Sequence, residues 1–262
     1  ANAVSGSFYV ETLGDNYVLA VPSLDARINQ KELALRQLKI FLGQQLGLQA
    51  QSLDLATITD FLRVVPLKGA LAELRDQLAP YGTLRNISLR LLENDIAVEA
   101  NLDQVTVGAW KGAPALNNVS GYVKASKLSG FVQLDAQDFA MAFPKLFHEP
   151  MQFDTAKGTI FWQVDEEDIR VGSYKLLSLD GAYGNALGEF QLSIPRKVED
   201  EDDLGRISVV VALDNGDVKY KNFLIPYTLD EGLLNWLDNN IQQGMVKKGN
   251  FIYHGPLSSP TQ

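Results

Sequence analysis

The sequence predicts an α+β protein, in which a twisted and mostly antiparallel β-sheet carries a few amphipathic helices on one face. The strands come from segments in which apolar and polar residues alternate, and short turn sequences between such segments indicate hairpins. The helices come from segments whose apolar residues recur about every 3.6 positions. A chain of 262 residues is long enough to bury a core without a metal or a disulfide.

Three helices are predicted near the N-terminus and one near the C-terminus. In residues 25–46, the apolar positions fall close to a 3.6-residue period, which favours an amphipathic helix. Residues 54–65 and 67–78 are predicted as two shorter helices, each ended by a proline. Residues 229–243 are predicted as the fourth helix, with Gly244 as its cap.

Strands are predicted to dominate the rest of the chain. Phe8–Val10 pairs with Tyr17–Val21 in a first hairpin, and Thr83–Leu92 pairs with Ile96–Val107 in another. In most later strands, apolar residues alternate with polar ones, so that one face of the sheet is expected to be apolar. The residues predicted on this apolar face are Ile96, Val98, Val132, Leu134, Ile160, Trp162, Val164, Val209, Val211 and Leu213.

We interpret residues 1–262 as one fragment of a longer, elongated protein, because the chain begins with Ala1 rather than Met. Within it, two sub-units are expected: a hairpin with helices at 1–80 and a β-rich part at 81–262. The acidic run Glu199–Asp203 lies between two predicted strands. Like charges at this density repel and hydrate, so we expect a hairpin loop there.

Composition and charge narrow the range of functions. The chain has 23 Lys and Arg against 32 Asp and Glu, a formal net charge of −9, which argues against an electrostatic grip on nucleic acid or anionic headgroups. It has no Cys, which excludes disulfides, thiol nucleophiles and thiolate metal sites. No apolar run reaches the roughly 18 residues that a membrane-spanning helix needs.

The motifs that would indicate catalysis are missing, and no catalytic, cofactor-binding or metal-binding residue is predicted. His148 and His254 lack the spacing of a metal site and are expected to be exposed or in loops. Asp214–Asp217 begins like a calcium loop, but Ile225 stands at the twelfth position, where such a loop needs Glu. The acidic group Asp165–Asp168 is expected at a hairpin tip.

The three tryptophans, Trp110, Trp162 and Trp236, leave a carbohydrate-binding alternative open, since aromatic rings stack on sugars. That hypothesis also requires two carboxylates on opposite sides of a sugar site, and no such pair stands out. Trp162 lies on the apolar side of its strand and Trp236 on the apolar side of its helix. Packing in a core is therefore the preferred interpretation of both.

Three groups of residues, in order along the chain, carry a resemblance to a known family. They are Val107–Leu116 with Val119–Gly121; Phe143–Pro150 with Gly158–Trp162; and Ile225–Pro226 with Leu234–Asp238, Gly244–Val246 and Tyr253–Leu257. In this order and spacing they resemble the periplasmic part of the YhdP-type AsmA-like proteins of Gram-negative bacteria. The resemblance runs from about Leu55 to the end of the chain.

The resemblance implies a long protein that is anchored in the inner membrane and whose periplasmic part forms a groove of repeated β-hairpins. It implies that phospholipid moves between the two membranes without a catalytic residue or a cofactor. The expected partners are phospholipid acyl chains and the neighbouring repeats of the parent chain, and not nucleic acid; a membrane would be contacted only through other parts of the parent. The ten apolar-face residues are then the candidates for lining the groove.

A second hypothesis needs no lipid. The same strands would serve a structural spacer or a protein-interaction module of a large envelope protein, with sheet edges available for pairing. The sequence alone does not separate this hypothesis from the groove, because helices packed on the apolar face would turn the same residues into an ordinary core.

Overall fold

The computed structural model describes residues 3–14, 16–28, 31–44, 46–62, 76–110, 113–197 and 205–257. Within these ranges the chain is mostly β, which corrects the expected α+β balance. The strands are β1 (Ala3–Leu13), β2 (Asn16–Ile28), β3 (Lys31–Leu42), β4 (Leu46–Asp54), β5 (Tyr81–Leu91), β6 (Ile96–Val107), β7 (Ala115–Ala125), β8 (Ser129–Ala142), β9 (Met151–Val164), β10 (Asp168–Gly181), β11 (Gly184–Pro195), β12 (Arg206–Asp217) and β13 (Met245–Pro256). The helices are α1 (Leu55–Leu62), a 3-10 turn (Val218–Tyr220), α2 (Lys221–Leu224) and α3 (Glu231–Asn240).

The chain divides into two compact units, a first unit of Ala1–Trp110 with Asn117–Lys127 and a second unit of Lys111–Leu116 with Leu128–Gln262. In each unit, the strands follow one another in chain order, and each pairs antiparallel with its neighbours in sequence. The sub-units expected at 1–80 and 81–262 stay a prediction, since part of the helical segment that defined the first lies outside the described residues.

The described residues of 25–46 are not helical, and the prediction of a long amphipathic helix there is wrong. They form the end of β2, all of β3 and the start of β4. In β3 the apolar residues alternate as in any strand, but the alternation slips by one position at Gln37, whose φ is +50°. The slip separates Leu35 from Leu38 by three positions, which imitates the spacing of a helix.

The other helix predictions are partly confirmed. In the predicted helix 54–65, α1 begins one residue later, where the Asp54 carboxylate accepts a hydrogen bond from the Thr57 N–H at 2.7 Å and caps the helix. Most of 67–78 lies outside the described residues, although 76–78 is helical. The predicted helix 229–243 is confirmed over the shorter range of α3, which the Asp230 side chain caps through the Leu233 N–H at 3.0 Å.

The slip in β3 belongs to a row that crosses four neighbouring strands of the first unit. In each of these strands, two apolar residues of the same face are three positions apart instead of two: Val21 and Leu24 in β2, Leu35 and Leu38 in β3, Ala50 and Leu53 in β4, and Leu84 and Ile87 in β5. The pairing register shifts where this row ends, between β1 and β2 and between β5 and β6. Irregularities of this kind bend strands and increase their twist.

The core of the first unit lies along this slip row. Its buried members come from five successive strands and pack side by side: Val21, Leu38, Ala50, Ile87 and Ala100. The partly buried residues packed against them also come from strands, so far as the chain is described. This core cluster therefore forms where the sheet bends, and its described members all come from strands.

The slip at Gln37 can be tested by substitution. Gln37→Val should lower the free energy of unfolding by about 1–2 kcal/mol, because a β-branched residue tolerates a left-handed conformation poorly. Gln37→Gly should cost little or nothing, since Gly adopts positive φ freely. Urea unfolding measures both, with Gln49→Val in β4 as the control at an ordinary exposed strand position. A Gln37→Val variant as stable as the parent would contradict the slip.

Candidate functional site

The first unit has one apolar face, which its cross-strand pairs define. Residues directly opposite each other in an antiparallel ladder point to the same side of the sheet. Val10 opposes Leu19, Leu19 opposes Ile40, and Ile40 opposes Leu48. Leu48 in turn opposes Leu89, and Leu89 opposes Val98. An uninterrupted line of aliphatic side chains therefore crosses β1 to β6.

The exposure of this face rises from the slip row towards the hairpin turns next to Tyr17, Leu42 and Leu91. The buried residues at the row are 1–9% exposed. Two positions further, Leu19, Ile40, Leu48 and Leu89 are half-buried. Two positions further again, next to the hairpin turns, Tyr17, Leu42, Leu46 and Leu91 are 45–56% exposed. The apolar face of the first unit thus opens to solvent at the end that carries these turns.

Two of the ten predicted residues lie on this face. Ile96 opposes Leu91, and Val98 opposes Leu89, and both are half-buried. The set predicted from the sequence does not include the line from Leu19 through Ile40 to Leu48: Ile40 lies in the predicted helix 25–46, and the set was drawn from the later strands alone. The signal that could have found these residues is their own two-residue spacing within β2, β3 and β4.

The other eight predicted residues lie on one face of the second unit. On β8 and β9, Val132 opposes Ile160; on β9 and β10, Trp162 opposes Val171, and Val164 opposes Ile169. Leu134, which opposes Gly158, is the one buried member of the eight. The remaining three, on β12, are Val209, Val211 and Leu213; all are half-buried.

The β12 residues belong to the same apolar face through β11. Val209 opposes Phe190, which stands two positions from Leu192, and Leu192 opposes Val171. On the other side, Val209 opposes Tyr253 of β13. The structure therefore brings each group of predicted residues together on one side of its own unit. Contact with a lipid stays a prediction for all ten.

The opposite face of the first unit carries cross-strand ion pairs, beside apolar residues such as the buried Val18. Glu99 is its centre: its carboxylate lies 3.0 Å from Lys124 Nζ and 3.6 Å from an Arg90 nitrogen, and it accepts a hydrogen bond from Tyr122 Oη at 3.1 Å. The hydrogen bonds from Lys124 and Tyr122 lower the pKa of Glu99. Burial and the bond to Glu99 raise the pKa of Tyr122. Charge is thus concentrated on the face that is not apolar.

The residues examined for catalysis and metal binding are dispersed. His148 lies exposed in the β8–β9 connection, as expected, and its ring stacks on Tyr227 at 4.4 Å; His254 is exposed on β13. Asp214–Asp217 ends β12, and Asn215 there has a φ of +57°. In the described part of the chain, no three His, Asp or Glu side chains are placed to hold a metal ion.

Among the helices of the described ranges, none has both the length and the apolar character that crossing a membrane requires.

Trp162 and Trp236 have different environments. Trp162 is half-buried on the apolar face of the second unit. Trp236 is 55% exposed on α3, so the prediction that it packs in a core is wrong. The reason is that α3 has apolar residues on two sides. Leu234 and Leu237 are partly buried, whereas Leu233 and Trp236 point to solvent.

One end of the second unit holds a cluster of aromatic rings. Phe153 of β9 stacks on Phe139 of β8 and contacts Tyr183 edge-on, with ring centres 6.4 and 5.6 Å apart. Tyr183, in the β10–β11 turn, contacts Tyr220 at 5.3 Å and Phe223 at 5.4 Å. These five residues form the aromatic cluster. They line an open cleft of about 640 Å³ together with acidic side chains.

Comparison with protein-family models decides the assignment. The family model described as YhdP protein matches residues 2–260. The chain belongs to the YhdP family. The YhdP family is an AsmA-like lipid-transport family associated with the cell envelope, and enzymatic activity is not known for it. Searches of curated proteins and of solved structures found no significant match.

The predicted hairpin tip at Asp165–Asp168 is confirmed, and it contains the most strongly shifted carboxyl group of the described residues. Asp165 accepts hydrogen bonds from the Asp168 N–H at 2.8 Å and from the Glu167 N–H at 3.0 Å, and it pairs with Arg170. These backbone hydrogen bonds, together with Arg170, lower the pKa of Asp165 from 3.8 to about 2. The turn therefore depends on a charged Asp165.

A pH titration tests this turn. Because the folded-state pKa is depressed, the stabilisation from Asp165 is complete above about pH 4 and is lost as the pH falls towards the folded pKa of about 2. Asp165→Asn should lower Tm at neutral pH and should flatten the dependence of Tm on pH between those values. Glu166→Gln, at the same turn, is the control. Identical pH profiles for the Asp165→Asn variant and the parent protein would contradict the assignment.

Proposed function

We propose that this chain is a non-enzymatic segment of a periplasmic groove that conducts phospholipid between the inner and outer membranes. Family membership supports lipid transport in general. The observation that carries the more specific proposal is the incomplete burial of one continuous apolar face in each unit. An ordinary core would have buried these side chains completely.

The energetics favour an acyl chain as the occupant. Each CH₂ group that leaves water contributes about 0.8 kcal/mol, so a tail lying against a line of aliphatic side chains is stabilised over its whole length. In the first unit, the line from Val10 to Val98 crosses six strands. A tail on this face would also cover the exposed Leu42 and Leu46, which otherwise face water.

The distribution of charge separates tails from headgroups. The ion pairs of the first unit, such as Arg85–Asp103 at 2.7 Å and Lys124–Glu99 at 3.0 Å, lie on the polar face. The groove then holds the tails, while the headgroups stay in water. The net charge of −9 is consistent with a conduit, because it disfavours adsorption of the whole chain onto anionic lipid.

The edges of the two units support the proposed partners within the parent chain. β1 is exposed along its whole length and pairs with β2 on one side. β13 pairs with β12 and exposes Phe251 and Ile252. Unpaired strand edges are templates for further strands, so neighbouring repeats of a periplasmic, inner-membrane-anchored parent would continue the sheet and its apolar face.

Lipid co-purification with matched variants tests the proposal. Val209 and Val210 are adjacent on β12 and point to opposite faces, since Val209 opposes Phe190 and Val210 opposes Glu189. Val209→Asp should reduce bound phospholipid several-fold in native mass spectrometry, because a carboxylate on the apolar face is costly to desolvate beside a tail. Val210→Asp, the same change on the polar face, should leave the bound lipid unchanged.

A second pair of variants controls for misfolding that the first pair could cause. Phe251→Asp and Ile252→Asp change two exposed residues of the edge strand that also point to opposite faces, so neither should unfold the chain. Loss of lipid with Phe251→Asp alone would support the groove. Equal lipid content in all four variants would contradict it.

The exposed edges also favour one alternative, a spacer or docking module of an envelope protein. That function predicts a protein partner that binds the well-folded, lipid-free chain through β1 or β13. Proline substitutions on the outer side of β1 should then abolish partner binding and leave lipid content unaffected, which separates the two functions by experiment.

A further inference from the structure

The cleft of the second unit lies at one end of its strands. It is bounded by the end of β8 and the start of β9, by the β10–β11 turn, and by the helical insertion between β12 and β13. Tyr227 bonds the insertion to the β8–β9 connection, and Lys221 links the two helices within the insertion. Tyr227 donates from its N–H to the Leu146 carbonyl and from its hydroxyl to the Pro144 carbonyl, both at 3.0 Å. Lys221 Nζ donates to the carbonyls of Leu237 and Ile241 at 2.9 Å.

The walls of the cleft are aromatic rings. Phe139, Phe153 and Tyr183 are buried and rigidly packed on one another, while Tyr220 and Phe223 are half-exposed. The Tyr183 hydroxyl accepts a hydrogen bond from the Gln152 N–H at 3.1 Å, which fixes the orientation of the ring. A volume of about 640 Å³ lies within the range of small-molecule sites and exceeds what a lipid headgroup needs.

The charged side chains that line the cleft beside the rings are all acidic. Among its described lining residues, the charged ones are Asp138, Glu149 and Asp154, with no Lys or Arg. An aromatic face presents partial negative charge, so rings and carboxylates favour the same kind of ligand. The carboxylates would repel an anionic ligand, and they would add no electrostatic attraction for an uncharged ligand.

The protein already places an ammonium group on this aromatic cluster. Lys219 Nζ lies 4.7 Å from the centre of the Tyr220 ring and 3.0 Å from an Asp217 carboxylate oxygen. An aromatic face and a carboxylate together thus hold a primary ammonium at the border of the cleft. The lining of the cleft offers the same two kinds of group in the half-buried Phe223 ring and the Glu149 carboxylate, with no Lys or Arg among its described residues.

We propose that this cleft binds the ammonium headgroup of a zwitterionic phospholipid. The inference rests on the proposed function, because it assigns a headgroup preference to a lipid whose tails occupy the apolar face. The half-exposed rings of Tyr220 and Phe223 contact the ammonium group, and Glu149, Asp138 and Asp154 supply the negative potential. Lipids whose headgroups carry no positive charge lack both interactions.

Headgroup-matched soluble lipids test the proposal on the whole chain. Dihexanoyl phosphatidylethanolamine, phosphatidylcholine and phosphatidylglycerol, each below its micelle concentration, share the same tails. The first two should bind roughly threefold or more tightly than the third, which corresponds to one partly exposed cation–π contact with a nearby carboxylate. In protein labelled with ¹³C in the tyrosine rings, the signals of Tyr183 and Tyr220 should shift, and that of Tyr174 should not.

Two variants and their controls assign the preference to the cleft. Glu149→Gln, at an exposed position, and Tyr220→Leu should each reduce the headgroup preference while phosphatidylglycerol binding stays unchanged. Glu166→Gln and Tyr174→Leu make the same changes elsewhere in the unit and should leave the preference intact. If Tyr220→Leu lowers the stability of the protein, the result for Glu149→Gln alone decides whether the headgroup preference comes from the cleft.

The outcomes separate the two proposals. Equal binding of the three lipids, or a preference that Glu149→Gln leaves intact, would overturn the headgroup site and leave the lipid-conducting groove standing. Free ethanolamine that shifts the Tyr183 and Tyr220 signals as strongly as the lipid does would overturn the lipid assignment in favour of free amines. Absence of binding by all three lipids would contradict the groove itself.

Discussion

The fold depends on how a sheet with one apolar face buries part of that face within the sheet itself. In the first unit, the solution is a row of aligned slips in β2 to β5, along which Val21, Leu38, Ala50 and Ile87 come together and are buried. The slips bend the strands and bring apolar side chains of the same sheet against one another. Burial is nearly complete at the slip row and decreases from there towards the hairpin turns, so the buried part and the exposed part of this face are separate.

This arrangement has a functional consequence. A face buried everywhere would be an ordinary core. A face exposed everywhere would cause the protein to aggregate, since large exposed apolar patches promote association. In the first unit, the exposed part lies beside the hairpin turns, at Tyr17, Leu42, Leu46 and Leu91. A passing acyl chain would cover these residues and leave the buried row unchanged. In the proposed groove, the same surface would hold a tail and release it without unfolding.

Much of the β architecture could be predicted from sequence, and the failures have definite causes. In β6, β8, β9 and β12, apolar and polar residues alternate without a break through the predicted positions. The sequence therefore predicted Val98, Val132 and Val209 on an apolar face, and the pairing registers confirm it. In β2 to β4, the slips break the alternation and imitate a helical period. The resemblance in residues 107–257 led to the correct family even though the local structure of 25–46 was misread.

The aromatic cleft lay beyond sequence-based prediction. Its rings come from Phe139, Phe153, Tyr183, Tyr220 and Phe223, which meet because four connections and strand ends coincide at one end of the second unit. No short motif encodes such a meeting. The prediction that Trp236 is buried failed for a related reason. When a helix has two apolar sides, the period of its apolar residues does not show which side will be buried. Both cases require the tertiary structure.

The most direct test of the account is whether lipid occupies the apolar face of the first unit and avoids the polar one. The chain has no native Cys, so a nitroxide label at a single introduced Cys reports one position. Leu48 and Gln49 are adjacent in β4 and point to opposite faces. On addition of phospholipid, the label in Leu48→Cys should report a less polar environment in its electron paramagnetic resonance spectrum, and the label in Gln49→Cys should not change. A spectrum that changes at neither position, or equally at both, would contradict the account.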